Sequence, residues 1–341
     1  MRASWSTTFR WQASRPGEAA HAAFASLPGR LYAPDSPRFR RGFEPVLRHL
    51  VDCHTLLRNG VPVGRFAFYH NPELTFQSQR AAAIGSYECV LETEVAERLF
   101  GRMRELAGTR GFDYLIGPMA GSTWQTYRFA LAPQQPLVVE PVHHDYYPAQ
   151  WRAAGFQAIG EYVSKLDRQL HYDAERLGKF RRYFRDKGAR LRRLDAARKE
   201  EELVTIGAFC NRAFADNFLF TPLPPTVFAQ QYQTLGPLLD PELIWLAEDA
   251  TGALQGLLFA LDDPCALPGR RLLIKTVATR PGGRFRGLAS YLLLEAYAAA
   301  AARGCDTILH TYMHVANASM NSSAKYAAQD WQRYALYGRA V

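Results

Sequence analysis

Apolar runs flank Asn59-Gly60 in HTLLRNGVPVGRFAFYH, which reads as two strands joined by a favoured two-residue turn. AAAIGSYECV, residues 81–90, reads as a further strand. In ETEVAERLFGRMRELAGTRG the apolar Val95, Leu99, Met103 and Leu106 recur at helical spacing and Gly111 stops the run, so a helix is predicted. FDYLIGPM follows as a strand, YYPAQWRAAG as a short helix and FQAIGEYVSKLD as a strand. In the second half GARLRRLD reads as a strand, EEELVTIGAFCNRAF as a helix, and FAQQYQTL as a second helical stretch. ELIWLAED, GALQGLLFALDD and RRLLIKTVAT read as strands. A helix over residues 287–303 stops at Gly304. DTILHTYMHV is then a strand, SMNSSAKYAAQ a helix and WQRYALYGRAV a final strand. Residues 1–43 are weakly periodic and predict no element.

The order of hairpin, strand, helix, strand, short helix, strand occurs twice. This is a duplication of architecture rather than of detailed sequence. Hairpins mixed with helical crossovers predict an α+β fold: two domains, each a mostly antiparallel mixed sheet flanked by helices. The expected boundaries are residues 1–167 for the first domain, 168–188 for a basic linker and 189–341 for the second.

Composition narrows the class. A chain of 341 residues with 48% hydrophobic and 21% charged residues fits a globular protein of two domains. Five scattered cysteines without a C-x-x-C pair point away from a disulfide framework and from a zinc site. No apolar leader pattern opens the sequence, and the apolar run within 288–302 is interrupted by Glu295 and too short to cross a bilayer. A cytoplasmic protein without a membrane partner is expected. Of the net charge of +9, the segment KFRRYFRDKGARLRR, residues 179–193, supplies +7 with eight basic residues and one acid. The basic signal is therefore local. It reads as a solvated helix, or as a surface for an anionic cofactor, an acidic substrate or RNA; nucleic acid is the least expected partner.

The most informative stretch is ATRPGGRFRGLASYLLLEAYAAAAARGCD, residues 278–306. A strand feeds a glycine- and arginine-rich loop, which feeds a long helix. Such a unit presents unpaired N–H groups and the positive end of a helix dipole, which suits a pyrophosphate. Gly282, Gly283 and Gly287 permit close backbone approach. Arg280, Arg284 and Arg286 add charge of the right geometry. The spacing Arg284-x-x-Gly287-x-Ala289 is neither a Walker A loop nor the dinucleotide G-x-G-x-x-G. It resembles the Arg/Gln-x-x-Gly-x-Gly/Ala loop of the GNAT superfamily of N-acyltransferases, as does Asn317 after the next strand. The N-terminal half resembles the same superfamily through LYAPDSPRF, VGRFAF, IGSYECVLETEVAERL, GFDYLIGP, STW and YYPAQWRAAGF, in the tandem form met in bacteria. Three places depart from the pattern. The loop before Arg284 is about two residues longer than is usual in the family, Gln329-Asp330-Trp331 stands where Gly-Phe often ends the last helix, and the usual tyrosine is displaced from Ala324 to Tyr326.

The resemblance implies an acyl-coenzyme A co-substrate, most simply acetyl-coenzyme A. Its binding residues would be Val277, Ala278, Thr279, Arg284, Phe285, Arg286, Gly287, Leu288, Ala289, Ser290 and Asn317. It implies direct transfer of the acyl group to a primary amine of a small molecule or peptide, with no covalent enzyme intermediate and no metal. Candidate catalytic residues are His314, as a base through water, and Tyr326, as an acid for the leaving thiolate. Period-two alternation would place His310, Tyr312 and His314 on one face. Trp124, Tyr127 and Arg128 are candidate acceptor-binding residues. His143-His144-Asp145 is not a metal motif, because adjacent side chains on an extended chain point opposite ways. The first copy has Leu91-Glu92-Thr93-Glu94 where the second has its glycine loop. Acids in a first helical turn satisfy the dipole themselves and would repel a pyrophosphate, so that copy is expected not to bind coenzyme A and to shape or cover the acceptor site. Two alternatives are a Fem-like aminoacyl transferase using charged tRNA, although the long coiled-coil insertion of that family is missing here, and a non-catalytic acyl-coenzyme A scaffold.

Overall fold

The computed structural model describes residues 7–40, 44–132, 137–140, 142–266, 268–317 and 319–341. The chain divides into two compact units, 1–161 with 334–341, and 162–333.

The first unit opens with β1 (Phe9–Ser14), α1 (His21–Ser26) and α2 (Pro28–Leu31), elements that the weak periodicity of residues 1–43 does not reveal. Then come β2 (Leu50–Arg58), β3 (Val61–Tyr69), the short β4 (Thr75–Phe76), β5 (Gln79–Cys89), α3 (Thr93–Thr109), β6 (Tyr114–Gly117), the short β7 (Phe129–Ala130) and α4 (Tyr147–Ala153). The β2–β3 hairpin turns at Asn59-Gly60, both at positive φ, as a two-residue turn demands. The order β1-β2-β3-β5-β6 is antiparallel except for β5 and β6, which run parallel over Ala81–Ala83 and Tyr114–Ile116 only. Leu99, Met103, Trp151 and Phe156 pack with Phe66, Phe68 and Ile84 into one core. Gly64 of β3 lets α3 approach closely, because a Cβ there would lie 2.7 Å from Leu99.

β8 (Gln157–Asp167) contains the division between the units. The second unit continues with α5 (Ala174–Asp186), β9 (Arg190–Arg193), α6 (Lys199–Ala213), α7 (Pro225–Gln233), β10 (Ile244–Glu248), β11 (Leu254–Asp262), β12 (Arg271–Thr279), α8 (Leu288–Ala302), β13 (Thr307–His314) and α9 (Ser319–Ser323). Its strand order is β8-β13-β12-β11-β10-β9, antiparallel except for β12 and β13. Leu258, Ala260, Leu272 and Ile274 meet α5 and α8 on one face. Phe259 faces the other way and meets Tyr232 of α7. Gly256 repeats the part of Gly64: a Cβ there would lie 2.7 Å from Leu288 and 3.2 Å from Leu292. The last strand, β14 (Gln329–Ala340), leaves the second unit, and its residues Tyr337–Ala340 pair with β6 of the first.

The expected boundaries therefore need correction. The segment 168–188 is not a linker. Leu177 and Phe184 of α5 are buried in the core of the second unit, and Phe184 stacks on Tyr291 at 5.0 Å. The second domain does not keep residues 334–341, because their hydrogen-bond partners lie in the first. Five of the eight basic residues of the run are paired: Lys179 with Glu175, Arg181 with Glu295, Arg185 with Asp186, Arg192 with Glu202 and Glu248, and Arg193 with Glu242. The helix expected through SMNSSAKYAAQ is shorter, ending at Ser323. Among the described residues no helix is long and apolar enough to cross a membrane.

Candidate functional site

The candidate site of the second unit lies where β12 and β13 part. They pair only from Arg271–Thr307 to Ile274–His310. Beyond Ile274, β12 continues to Thr279 with β11 alone. Alternate peptide groups of residues 275–279 then face a side with no ladder partner. Thr311 fills the root of this gap, donating its hydroxyl to the Ile274 carbonyl at 2.9 Å. Lys275, Thr276, Val277 and Thr279 are half-buried and Ala278 is buried.

The glycine loop leaves the end of β12. The Arg280 amide bonds the Gln255 carbonyl at 2.9 Å, and the Gly283 amide bonds the Arg280 carbonyl at 3.0 Å, making a tight turn. Phe285 pins the loop by burying its ring near Phe184, while Arg284 and Arg286 on either side are exposed. Gly287 caps α8 at φ +85° with no side-chain hydrogen bond, and nothing lies within 4 Å of the place a Cβ would occupy. The Leu288 amide turns back to the Phe285 carbonyl at 3.3 Å, and the dipole and the next amides of α8 face the open helix start. Leu288 and Ser290 are buried and Ala289 is half-buried. Lys325 donates to the Ser290 hydroxyl at 3.1 Å, bringing another cation to this helix end. The sequence pattern does not reveal Lys325, because no periodicity links it to α8. Asn317 turns the chain after β13, with its amide on the His314 carbonyl at 2.9 Å.

The two candidate catalytic residues lie on different faces. The register between β13 and β8 shifts between His310 and Met313, and Tyr312 has φ +54°. This bulge adds one residue and breaks the alternation that would have put His310, Tyr312 and His314 together. His310 turns toward α8, where its Nε2 lies 2.9 Å from the Tyr297 hydroxyl. That hydroxyl donates to Asp167 at 2.9 Å, and burial lowers the imidazole pKa to about 4. The Tyr326 ring stacks on Tyr297 at 4.2 Å, and burial pushes its hydroxyl up to about 12. His314 faces the opposite side, against Tyr162 and Phe218. Its Nδ1 accepts the Ala316 amide at 3.2 Å. That ring nitrogen is therefore engaged by the backbone.

Lys275 occupies a second bulge, opposite Phe259 and Ala260. It reaches the α6/α7 face, where its Nζ donates to the Tyr232 hydroxyl at 2.8 Å. A lysine next to the apolar run Leu272–Ile274 was the available signal. Cys210 of α6 is buried, which raises its thiol to about 12, so it stays protonated and inert.

Trp124, Tyr127 and Arg128 belong to the first unit, between β6 and β7. Arg128 is buried at φ +64°, with its guanidinium 4.3 Å from the Tyr127 ring centre and 5.3 Å from that of Tyr334. Both ring nitrogens of His143 are engaged, Nε2 by the Ala130 amide and Nδ1 by the His144 carbonyl, each at 2.9 Å. Residues 90–92 connect β5 to α3, where Glu92 stands at the cap position and is gripped by Arg58 at 2.5 and 3.0 Å.

No family model matches the chain. A bacterial ceramide synthase of Caulobacter vibrioides is 25% identical over 252 residues, a match taking in 66% of this chain and 63% of the relative's length. Among solved structures, a tandem GNAT protein from the clavulanic acid biosynthesis pathway aligns with a TM-score of 0.54 at 14% identity, over 98% of both chains. The glucosamine N-acetyltransferase region of a fungal multi-domain β-N-acetylglucosaminidase aligns with a TM-score of 0.59 at 13% identity, over 98% of this chain and 38% of that one. At these identities the structural likeness is one of fold. Two copies of the same architecture, each with a parallel strand pair that parts beside a long helix, make this chain a tandem GNAT-fold protein.

Proposed function

We propose that the protein is an N-acyltransferase that takes an acyl group from acyl-coenzyme A on its second unit and gives it to a primary amine. The observation that carries this reading is the open start of α8 at Gly287, set directly after a half-strand with unused peptide groups. The loop 280–287, with Arg284, Arg286 and the α8 amides, suits the pyrophosphate. Residues 277–279 suit an extended amide-bearing arm laid along β12 as a further strand.

The amine nitrogen attacks the thioester carbon directly. The C–S bond breaks with its electron pair on sulfur, and the nitrogen loses a proton to solvent. Tyr326 stays protonated across neutral pH and offers the sulfur a hydrogen bond. A phenol near pKa 12 is a weaker acid than a thiol of pKa about 8.5, so solvent completes the thiol. Alignment of the two substrates supplies most of the rate.

Acetyl is the simplest donor group. The likeness to a bacterial ceramide synthase supports a second choice, a long acyl chain or a lipid amine. The first copy binds no coenzyme. Calorimetric titration with acetyl-coenzyme A, a long-chain acyl-coenzyme A and free coenzyme A tests the reading. One site per chain, lost in Gly287→Glu, is expected, and the tighter thioester identifies the donor. No binding at millimolar ligand would overturn it.

A further inference from the structure

Cations set into the second unit meet carboxylates. Arg271 lies 2.6 Å from Asp263, Arg192 sits between Glu202 and Glu248, and Arg181 grips Glu295. Lys275 differs. It is half-buried, and among the described residues it makes no ion pair. Its one hydrogen bond goes to the Tyr232 hydroxyl at 2.8 Å, and its ammonium lies 4.9 Å from the Tyr232 ring centre and 5.7 Å from that of Phe259. Tyr232 cannot swing away, because it is buried and stacked on Phe228 at 4.1 Å. Its oxygen accepts from Lys275, so its own hydrogen is left to be donated. Two donors, one of them charged, thus converge on a spot with aromatic walls and, among the described residues, no carboxylate. An acceptor-only, anionic group is what such a spot takes.

Position says whose anion it is. Lys275 is the first residue of β12 beyond the last pair with β13, so it stands at the mouth of the gap. It points to the α6/α7 face, away from α8. The four residues to Thr279 put about 13 Å of strand between it and the start of the glycine loop. The coenzyme phosphates belong to that loop, so a different anion is wanted here.

We infer that Lys275, with the Tyr232 hydroxyl, is the specificity-determining site for the acceptor, which carries a carboxylate or phosphate close to its amino group. This rests on the N-acyltransferase reading and narrows its substrate class.

The test measures thiol release by the full chain, with whichever acyl-coenzyme A binds, from three related acceptors: serine, phosphoethanolamine and ethanolamine. Serine or phosphoethanolamine should exceed ethanolamine by at least about tenfold in kcat/KM, as expected for a charge-assisted hydrogen bond. The better of the two identifies the anion. In Lys275→Gln the ratio should fall to within about twofold of one, through KM, while Lys275→Arg retains the preference, because only the charge-assisted contact is changed. Equal use of the three acceptors by the wild type overturns the inference. So does a Lys275→Gln variant that lowers kcat on all three alike, which would mean that the lysine serves the thioester. Coenzyme binding without turnover of either anionic acceptor also overturns it and leaves the parent reading standing. Absence of coenzyme binding would remove both.

Discussion

The strand β5 with helix α3, and the strand β12 with helix α8, are the same piece of architecture used twice. Each helix lies on a glycine of the neighbouring strand, and each strand parts from its parallel partner after a few pairs. In the first copy the gap is closed. The Met119 amide bonds the Ile84 carbonyl at 2.7 Å, and a Cβ on Gly85 would lie 3.0 Å from the Met119 carbonyl oxygen. The chain's own backbone occupies this gap, and β5 is buried from Ala81 to its end except for Ser86. In the second copy, β12 stays half-exposed from Lys275 to Val277 and at Thr279. The loops differ in the same sense: residues 90–92 carry one acid, Glu92, to the start of α3, whereas residues 280–287 carry glycines and arginines to the start of α8. A duplicated fold keeps its packing glycines in both copies. It keeps the open helix end in only one.

The sharpest way to break this contrast is Gly287→Glu. A carboxylate at the open end of α8 imitates Glu92, the acid at the cap position of α3. Coenzyme affinity should fall by more than about a hundredfold, because a like charge replaces a dipole-stabilised phosphate site. Cβ strain at φ +85° adds about 1–2 kcal/mol of destabilisation. Calorimetry and a thermal melt separate the two effects, and unchanged affinity would remove the loop from the site.

Next in size is Trp151→Ala. This ring is fully buried in the first core, and its atoms lie 2.2 Å from where a Gly117 Cβ would be. Unfolding of the first unit should become easier by about 3–5 kcal/mol. Denaturant titration of the apo chain reads this. A drop in coenzyme affinity under native conditions would contradict the assignment of the site to the second unit alone.

The third sits at the roots of the two gaps. Ile116 is the last residue paired in the first copy and His310 in the second. His310 has a folded pKa of about 4 against an ordinary 6.5. A depressed folded value means that the unfolded chain binds the proton first. The second unit should therefore hold its full stability above 6.5 and lose up to about 3 kcal/mol as pH falls through that window to the folded value. His310→Gln keeps a donor for Tyr297 and cannot titrate in this range, so its urea midpoint should vary less with pH across the window. An unaltered acid limb would show that other groups set it.

The smallest is Glu94→Gln. It removes the exposed Glu94–Arg98 pair on α3, worth about 0.3–0.5 kcal/mol. Coenzyme affinity should not move. A measurable change would show that the first copy touches the ligand after all.

The repeated order of elements was legible in the sequence because local signals encode it: the Asn59-Gly60 turn, the spacing of Val95 to Leu106, and the glycine stop after α8. The loop 280–287 was legible for the same reason. What was not legible is set by events that add or move one residue. The bulges at Lys275 and at Thr311–Tyr312 reverse side-chain parity, so His314 leaves the face of His310 while Lys275 gains the α6/α7 face. Residues 9–31 fold on scattered anchors such as His21, Phe24 and Leu27, too few for a period to show. The burial of α5 through Leu177 and Phe184 was masked by the arginines around them.

The return of residues 334–340 to β7 and β6 concerns how the chain is made. Synthesis runs from the N-terminus, and domains ordinarily fold in that order as they emerge. Here the first unit lacks a strand until nearly all of the second has left the ribosome. The second unit can finish first, and the nascent first unit must wait with β6 uncovered on one edge, a site for wrong pairing. Of the two units, the one that precedes in the chain is thus the one whose sheet edge stays open longer.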